Sequence, residues 1–178
     1  MGDVKYFRHD VPPSMVDDLT SLPGNQALGD TEKVATTLSQ HGQNSEIFRG
    51  KTYFSPSQVD RGVSDNVVQV GDLFTACIDG KTVSRACSSR ENETGAELAV
   101  EMNLGFQRKE YARQAAFAWA HRVTSAGKVA FYSHEIVNTA SEALGHSLGV
   151  RFVATVTAYE KPGVGSSTPD RNFPPPRC

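Results

Sequence analysis

The chain has 178 residues, a formal net charge of −2, 38% hydrophobic residues and 21% charged residues, which is ordinary for a soluble globular protein of one domain. So small a net charge gives no reason to expect nucleic acid or an anionic membrane as a partner. The apolar runs are too short to cross a bilayer, and the first residues do not resemble a secretory signal, so we expect a cytoplasmic protein.

The first half of the sequence predicts two short helices followed by antiparallel strands. The helices are predicted over residues 13–19 and 31–38, the second with Asp30 as its N-cap. Asp79-Gly80 is a strong two-residue hairpin turn. The turn alone would place Cys77 opposite Thr82 and Cys87 opposite Asp72. The predicted strands cover residues 46–54, 73–78 and 82–87.

The second half predicts a strand, a basic turn, a long helix, a strand, a short helix and a last strand. Gly127 ends the long helix, and Asn138 is the predicted N-cap of the short one. Two strands joined by one helix run parallel through a right-handed crossover. We therefore predict an α/β fold of the mixed α+β kind, with a central mixed sheet and helices on both faces. The predicted elements cover residues 96–102, 111–126, 129–132, 139–147 and 151–159.

The turn before the long helix has the character of a phosphate site. Its sequence is Gln107-Arg108-Lys109-Glu110-Tyr111-Ala112. A basic turn that leads into a helix presents several free backbone N–H groups together with the positive end of the helix dipole. This combination predicts binding of a diphosphate.

Residues 70–160 resemble the core of the GNAT superfamily of N-acetyltransferases. The acyl-CoA loop of that family has the form Gln/Arg-x-x-Gly-x-Gly/Ala between a strand and a helix, which Gln107 and Ala112 match. The family also tends to end with Asn-x-x-Ala/Ser-x-x-Leu, followed by a glycine and an apolar residue. The residues that fit this second pattern are Asn138, Ser141, Leu144, Gly149 and Val150.

Two positions depart from the family pattern. Glu110 stands where the family usually has a glycine beside the pyrophosphate. Its carboxylate should weaken binding unless it points to solvent or pairs with Lys109 or Arg113. Gly145 stands where many members carry a tyrosine that acts as general acid toward the departing thiolate, so that tyrosine is absent here.

The resemblance implies an N-acetyltransferase that moves an acetyl group from acetyl-CoA to a small-molecule amine, by direct attack through a tetrahedral intermediate. Backbone N–H groups near Met102 and Leu104 would hold the thioester carbonyl, and those of residues 108–112 would hold the pyrophosphate. Arg108, Lys109 and Arg113 would add positive charge. The implied donor-binding residues are Met102, Leu104, Gln107, Arg108, Lys109, Glu110, Tyr111, Ala112, Arg113, Asn138 and Ser141.

Three side chains are candidates for acid–base catalysis. Glu97 and Glu101 lie on one face of the strand over residues 96–102, and Glu101 is nearer the expected thioester. His134 ends the next strand, and a histidine can change its charge near neutral pH. The plain alternatives are exposed strand carboxylates and a half-buried histidine. No cysteine has metal-ligand spacing with a histidine, so no metal is expected.

The resemblance also divides the chain into parts and leaves other interpretations open. Residues 1–45 would be a helical part that contributes to acceptor binding, residues 46–161 the GNAT-like catalytic core, and residues 162–178 a disordered tail rich in Pro, Gly and Ser. One alternative, favoured by Glu110 and Gly145, is a non-catalytic acyl-CoA sensor or scaffold. Another is an unrelated α/β domain. A homodimer is compatible with the sequence.

Overall fold

The computed structural model describes residues 7, 11–22, 30–55, 64–103, 106 and 109–160. These residues form four α-helices and seven β-strands. The helices are α1 (Pro13–Ser21), α2 (Thr31–Gln40), α3 (Lys109–Ser125) and α4 (Thr139–Leu148). The strands are β1 (Glu46–Phe54), β2 (Val67–Val70), β3 (Leu73–Ile78), β4 (Lys81–Glu91), β5 (Gly95–Met102), β6 (Val129–Glu135) and β7 (Arg151–Glu160). Among them, no helix is long and apolar enough to cross a membrane.

The chain divides into two compact units, of which the first contains α1, α2 and the end of β7 from Val156. Its core is a small apolar cluster of Met15, Leu19, Val34 and Leu38, with Tyr159 packed against it. The predicted N-cap of α2 is confirmed, because the Asp30 carboxylate accepts a hydrogen bond from the Lys33 backbone N–H at 3.2 Å. The predicted division at residue 45 stays a prediction, and the predicted tail over residues 162–178 lies outside the described residues.

The predicted mixed sheet is confirmed. The strand order is β2-β3-β4-β5-β6-β1-β7, and β5 pairs with β6 in parallel, as the predicted crossover requires. Cys77 lies opposite Thr82, as the hairpin turn predicts. A register shift between Ala76 and Cys77 then places Phe74 opposite Ala86, so the register predicted for Cys87 is wrong by one residue.

The second unit, from Gly50 to Thr155, contains the main hydrophobic core under α3 and α4. The inner face of α3 is mostly alanine, which lets the helix lie close to the sheet. Trp119 fills the space that remains and is 1% exposed. Its indole Nε1 donates to Ser88 Oγ on β4 at 3.0 Å. The buried α3 residues are Ala112, Ala115, Ala116, Ala118, Trp119, Ala120 and Val123.

Three of the boundaries that differ from the prediction bear on the second unit. β4 continues to Glu91, because Arg90 and Glu91 pair with Glu97 and Ala96 on β5. β6 continues beyond Tyr132 to Glu135, because β1 pairs with it along its whole second half. α3 begins at Lys109 rather than Tyr111, so the last part of the predicted phosphate turn is the first turn of the helix.

Candidate functional site

The parallel strands β5 and β6 separate after a short ladder. Gly95 lies opposite Val129, Ala96 opposite Ala130, and Glu97 opposite Phe131. The pairing ends there. β5 continues to Met102 along β4, and β6 continues to Glu135 along β1. Within the described residues the two strands therefore leave a gap between their carboxyl-terminal halves, which we call the β5–β6 gap.

Backbone groups of both strands point into the β5–β6 gap. The N–H of Asn103 donates to the Val83 carbonyl on β4 at 3.0 Å. Since strand amides alternate in direction, the N–H groups of Val100 and Met102 point away from β4 and toward β6. On β6, the Ala130 carbonyl faces β1, where it accepts the Ser55 N–H at 2.8 Å. By the same alternation, Ser133 directs its backbone groups into the gap.

The first turn of α3 follows β5 in the chain. The N–H groups of Lys109, Glu110 and Tyr111 have no acceptor within the helix, because the first turn of an α-helix lacks one. Tyr111 packs against the core, and Ala112 is 2% exposed. Contact of Ala112 with an anion would therefore use the backbone. Leu104, Gln107, Arg108 and the side chain of Lys109 lie outside the described residues.

Glu110 pairs with Arg113 one helical turn later. Arg113 Nη2 lies 2.5 Å from Glu110 Oε1, and the Glu110 side chain is 60% exposed. The Arg113 guanidinium also lies over the Phe117 ring, 5.7 Å from its centroid. The Glu110 carboxylate is therefore exposed to solvent and paired with Arg113. These are the two conditions under which a glutamate at this position is compatible with a nearby phosphate.

The two candidate glutamates of β5 lie in different surroundings. Glu97 belongs to the last paired position of the β5–β6 ladder, and its Oε2 accepts a hydrogen bond from Arg90 Nε at 2.8 Å. Glu101 lies beyond the ladder, opposite Arg85 on β4, and is exposed. Only the position of Glu101 is alongside the gap, so the geometry favours Glu101 over Glu97 as a proton acceptor.

His134 is more deeply buried than its place near a strand end suggests. It is 5% exposed and stacks on Tyr53 of β1, with the ring centroids 5.5 Å apart. Its Nδ1 lies 2.8 Å from the Glu135 carbonyl oxygen. Because a carbonyl can only accept, Nδ1 carries the hydrogen, and Nε2 of the neutral ring is a lone-pair acceptor. This Nε2 is buried and has no hydrogen-bond partner in the described part of the chain.

An ion pair that no local sequence pattern predicts links β1 to α4 beside His134. Lys51 Nζ donates to Glu142 Oε1 at 2.5 Å, and Lys51 is the β1 residue opposite His134. The hydrogen bond from Lys51 lowers the pKa of Glu142, and the positive charge of Lys51 acts in the same direction. The same bond raises the pKa of Lys51. Both partners are therefore charged at neutral pH.

The start of α4 is built as the sequence predicts. Asn138 is the N-cap, and its Oδ1 accepts the Ser141 N–H at 2.9 Å. Tyr132 Oη on β6 donates to the Ser141 carbonyl at 3.1 Å, which joins this turn to the edge of the gap. Gly145 lies one turn later against the Tyr132 ring. A contact of Asn138 or Ser141 with a ligand stays a prediction.

A narrow apolar cavity lies beside these residues. Its lining includes Leu98 of β5, Tyr132 of β6, Trp119 of α3 and Leu148 at the end of α4. Its volume of about 10 Å³ is room for no more than one water molecule. The cavity marks the place where the sheet and the two helices are not close-packed, next to the point at which β5 and β6 separate.

Two acidic residues of the first unit pair with basic side chains of the same unit. Asp18 Oδ2 lies 2.8 Å from His41 Nε2, and Asp30 Oδ2 lies 2.8 Å from Lys33 Nζ. Asp18 and Asp30 therefore already have basic partners within this unit. The described residues of this unit therefore give no independent support to an acceptor site there.

Solved structures with the same fold are known. A GNAT-family protein from Novosphingobium aromaticivorans, assigned as an acetyltransferase, has a TM-score of 0.58 and 16% identity over 65% of this chain and 66% of its own. A GNAT-family acetyltransferase from Colwellia psychrerythraea has a TM-score of 0.54 and 11% identity over 74% of this chain and 63% of its own. A GCN5-related N-acetyltransferase-like protein from Streptococcus suis has a TM-score of 0.52 and 13% identity over 78% and 76%.

The aligned part of this chain spans just under two thirds of the length of the first two structures. No protein-family model matches the sequence, and no curated protein matches it. The structural likeness confirms the predicted GNAT-like arrangement of sheet and helices. The chain has the fold of GNAT-family acetyltransferases.

Proposed function

We propose that this protein transfers an acetyl group from acetyl-CoA to the amine of a small molecule. The observation that carries the proposal is the β5–β6 gap, which lies in a fold shared with acetyltransferases and is followed in the chain by the first turn of α3. A long thin ligand with a diphosphate at one end fits such a groove, because backbone N–H groups line the gap and others lie at the helix start. We place this activity in the cytoplasm.

The residues present fit an acyl donor in two respects. The Val100 and Met102 amides supply donors for an extended chain and for an oxygen that gains negative charge during acyl transfer. The first-turn amides of α3 supply donors for the diphosphate, with Arg113 close by. Asn138 and Ser141 would line the opposite side, from α4. Gln107, Arg108 and Lys109 remain donor-binding predictions from the sequence.

A bound acetyl-CoA would supply the thioester, and the protein must take a proton from the attacking amine. We propose His134 Nε2 or the Glu101 carboxylate as the acceptor of that proton. His134 has an unpartnered lone pair held in a fixed direction by the Glu135 carbonyl. Glu101 has an exposed carboxylate alongside the gap. Glu97 is the weaker candidate, because Arg90 already binds it.

The alternative is a non-catalytic acyl-CoA sensor or scaffold. The sequence favours it through Glu110 and Gly145. The ion pair between Glu110 and Arg113 removes most of the first argument, because the carboxylate is no longer an uncompensated charge at the helix start. The argument from Gly145 holds only if no other residue donates a hydrogen bond to the departing sulfur.

Two measurements on the full chain separate these functions. Calorimetry with acetyl-CoA tests donor binding, and release of free thiol from acetyl-CoA in the presence of amino sugars, polyamines and simple alkylamines tests transfer. Saturable binding with amine-dependent thiol release supports the enzyme. Saturable binding without release across the amine panel favours the sensor, and no binding at high micromolar acetyl-CoA defeats both.

A further inference from the structure

Tyr132 lies at the point where the β5–β6 gap begins. It is the first residue of β6 after the last paired position, Phe131, and it is 6% exposed. A Cβ atom built on Gly145 of α4 would lie 3.4 Å from Tyr132 Cε1 and 3.5 Å from its Cδ1. The Tyr132 ring therefore occupies the space that a side chain at position 145 would need. It also lines the apolar cavity, together with Leu98 and Trp119.

The Tyr132 hydroxyl is a donor whose bond can be redirected. It donates to the Ser141 carbonyl at 3.1 Å. That carbonyl lies in the first turn of α4, four residues before Gly145, so it is also the regular helical acceptor of the Gly145 N–H. The helix thus does not depend on the tyrosine. Burial raises the pKa of Tyr132, so the hydroxyl keeps its hydrogen at neutral pH.

We propose that Tyr132 is a catalytic residue whose Oη donates a hydrogen bond to the sulfur of the acyl donor as the carbon–sulfur bond breaks. This inference rests on the proposed function. Val100 and Met102 lie on the β5 side of the gap, and Tyr132 lies on the β6 side, where its hydroxyl contacts the first turn of α4. It thereby gives the sulfur a donor although α4 has only a glycine at position 145.

The step balances without a further reactant. The amine electron pair forms the carbon–nitrogen bond, and the electron pair of the carbon–sulfur bond stays on sulfur. The proton lost by the amine goes to His134 or Glu101. Tyr132 shares its proton with sulfur and does not lose it, because a thiol is a stronger acid than a phenol. The thiolate product takes its proton from solvent.

The test is the thiol pKa of CoA bound to the protein, read from the ultraviolet absorbance of the thiolate. A hydrogen bond from Tyr132 stabilises the thiolate, so the pKa of bound CoA should lie below that of free CoA. Tyr132→Phe keeps the ring and removes the donor, and should raise the pKa of bound CoA by about one unit. At low pH, where the thiol is neutral in both proteins, calorimetry should give the same affinity for CoA.

Tyr53→Phe is the matched control. Tyr53 is the β1 residue opposite Tyr132 and is 8% exposed. Its replacement by phenylalanine removes one buried tyrosine hydroxyl, as Tyr132→Phe does. It should leave the pKa of bound CoA unchanged. An equal thiol pKa in wild type and Tyr132→Phe, an equal shift in Tyr53→Phe, or loss of CoA binding in Tyr132→Phe would overturn the proposal while leaving the transferase intact. Failure of the wild type to bind CoA would defeat both.

Discussion

His134 donates its Nδ1 hydrogen to the carbonyl oxygen of Glu135 at 2.8 Å, which leaves Nε2 as the proton acceptor of the ring. We predict that the neutral ring is the Nδ1–H tautomer. Nitrogen-15 chemical shifts of the imidazole in labelled protein measure this directly, with His134→Gln identifying the signals. A neutral ring with its hydrogen on Nε2 would contradict the assignment.

The two proposed proton acceptors predict different mutational results. His134→Asn keeps a donor for the Glu135 carbonyl and removes the Nε2 lone pair. If His134 is the base, it should lower kcat by roughly 100-fold with little change in the affinity for acetyl-CoA. Glu101→Gln should then have a small effect, and the reverse pattern would assign the role to Glu101.

Glu97→Gln is the matched control for this comparison. Glu97 lies on the same strand and face as Glu101, but Arg90 holds it at the closed end of the gap. It should change kcat by less than about threefold, because its carboxylate is not next to the reacting atoms. A larger loss in Glu97→Gln than in both other variants would show that the gap is not where proton transfer occurs.

The Glu110–Arg113 pair predicts a change in donor affinity. Glu110→Gln removes a negative charge beside the predicted phosphate turn and frees Arg113, so acetyl-CoA should bind about threefold more tightly at low salt. Arg113→Gln should weaken binding. Calorimetry at two ionic strengths checks both, since salt screens such exposed charges. Weaker binding in Glu110→Gln would show that the carboxylate has a positive role.

Glu91 predicts how stability depends on pH. Its carboxylate accepts hydrogen bonds from Arg122, Lys128 and Ser88. These bonds lower its pKa far below the usual 4.5. A lowered folded-state pKa stabilises the fold above pH 4.5, and this contribution is lost as the pH falls toward the folded-state value.

The measurement is urea unfolding at neutral and acid pH. Glu91→Gln should cost about 1 kcal/mol at pH 7, because solvent screens this exposed carboxylate, and the difference from wild type should shrink steadily below pH 4.5. Glu93→Gln, in the exposed turn after β4, is the control and should cost nothing measurable. A pH-independent loss in Glu91→Gln would mean that packing, and not the charge, explains its effect.

Short-range signals in the sequence predicted the local structure well. The Asp30 and Asn138 caps, the Asp79-Gly80 hairpin and the parallel strand–helix–strand unit are all present. Each depends on residues that are neighbours in the chain or on one crossover rule. The same kind of signal missed β2, a four-residue edge strand with mostly exposed side chains and little hydrophobic pattern.

The candidate site depends on pairings that no local pattern contains. His134 is buried because β1 pairs with β6 and stacks Tyr53 on it. The Lys51–Glu142 ion pair joins residues 91 positions apart. Tyr132 meets Gly145 only because α4 folds back on β6. The sequence identified His134 and the anomaly at Gly145, but the strand order was needed to show what surrounds each of them.

Hydrogen–deuterium exchange with and without acetyl-CoA tests most directly whether the β5–β6 gap is the donor site. If acetyl-CoA binds in the gap, exchange should slow at the amides of Val100 and Met102 and in the first turn of α3, with β3 unchanged as an internal control. No protection in these segments at saturating acetyl-CoA, or protection confined to other parts of the chain, would contradict it.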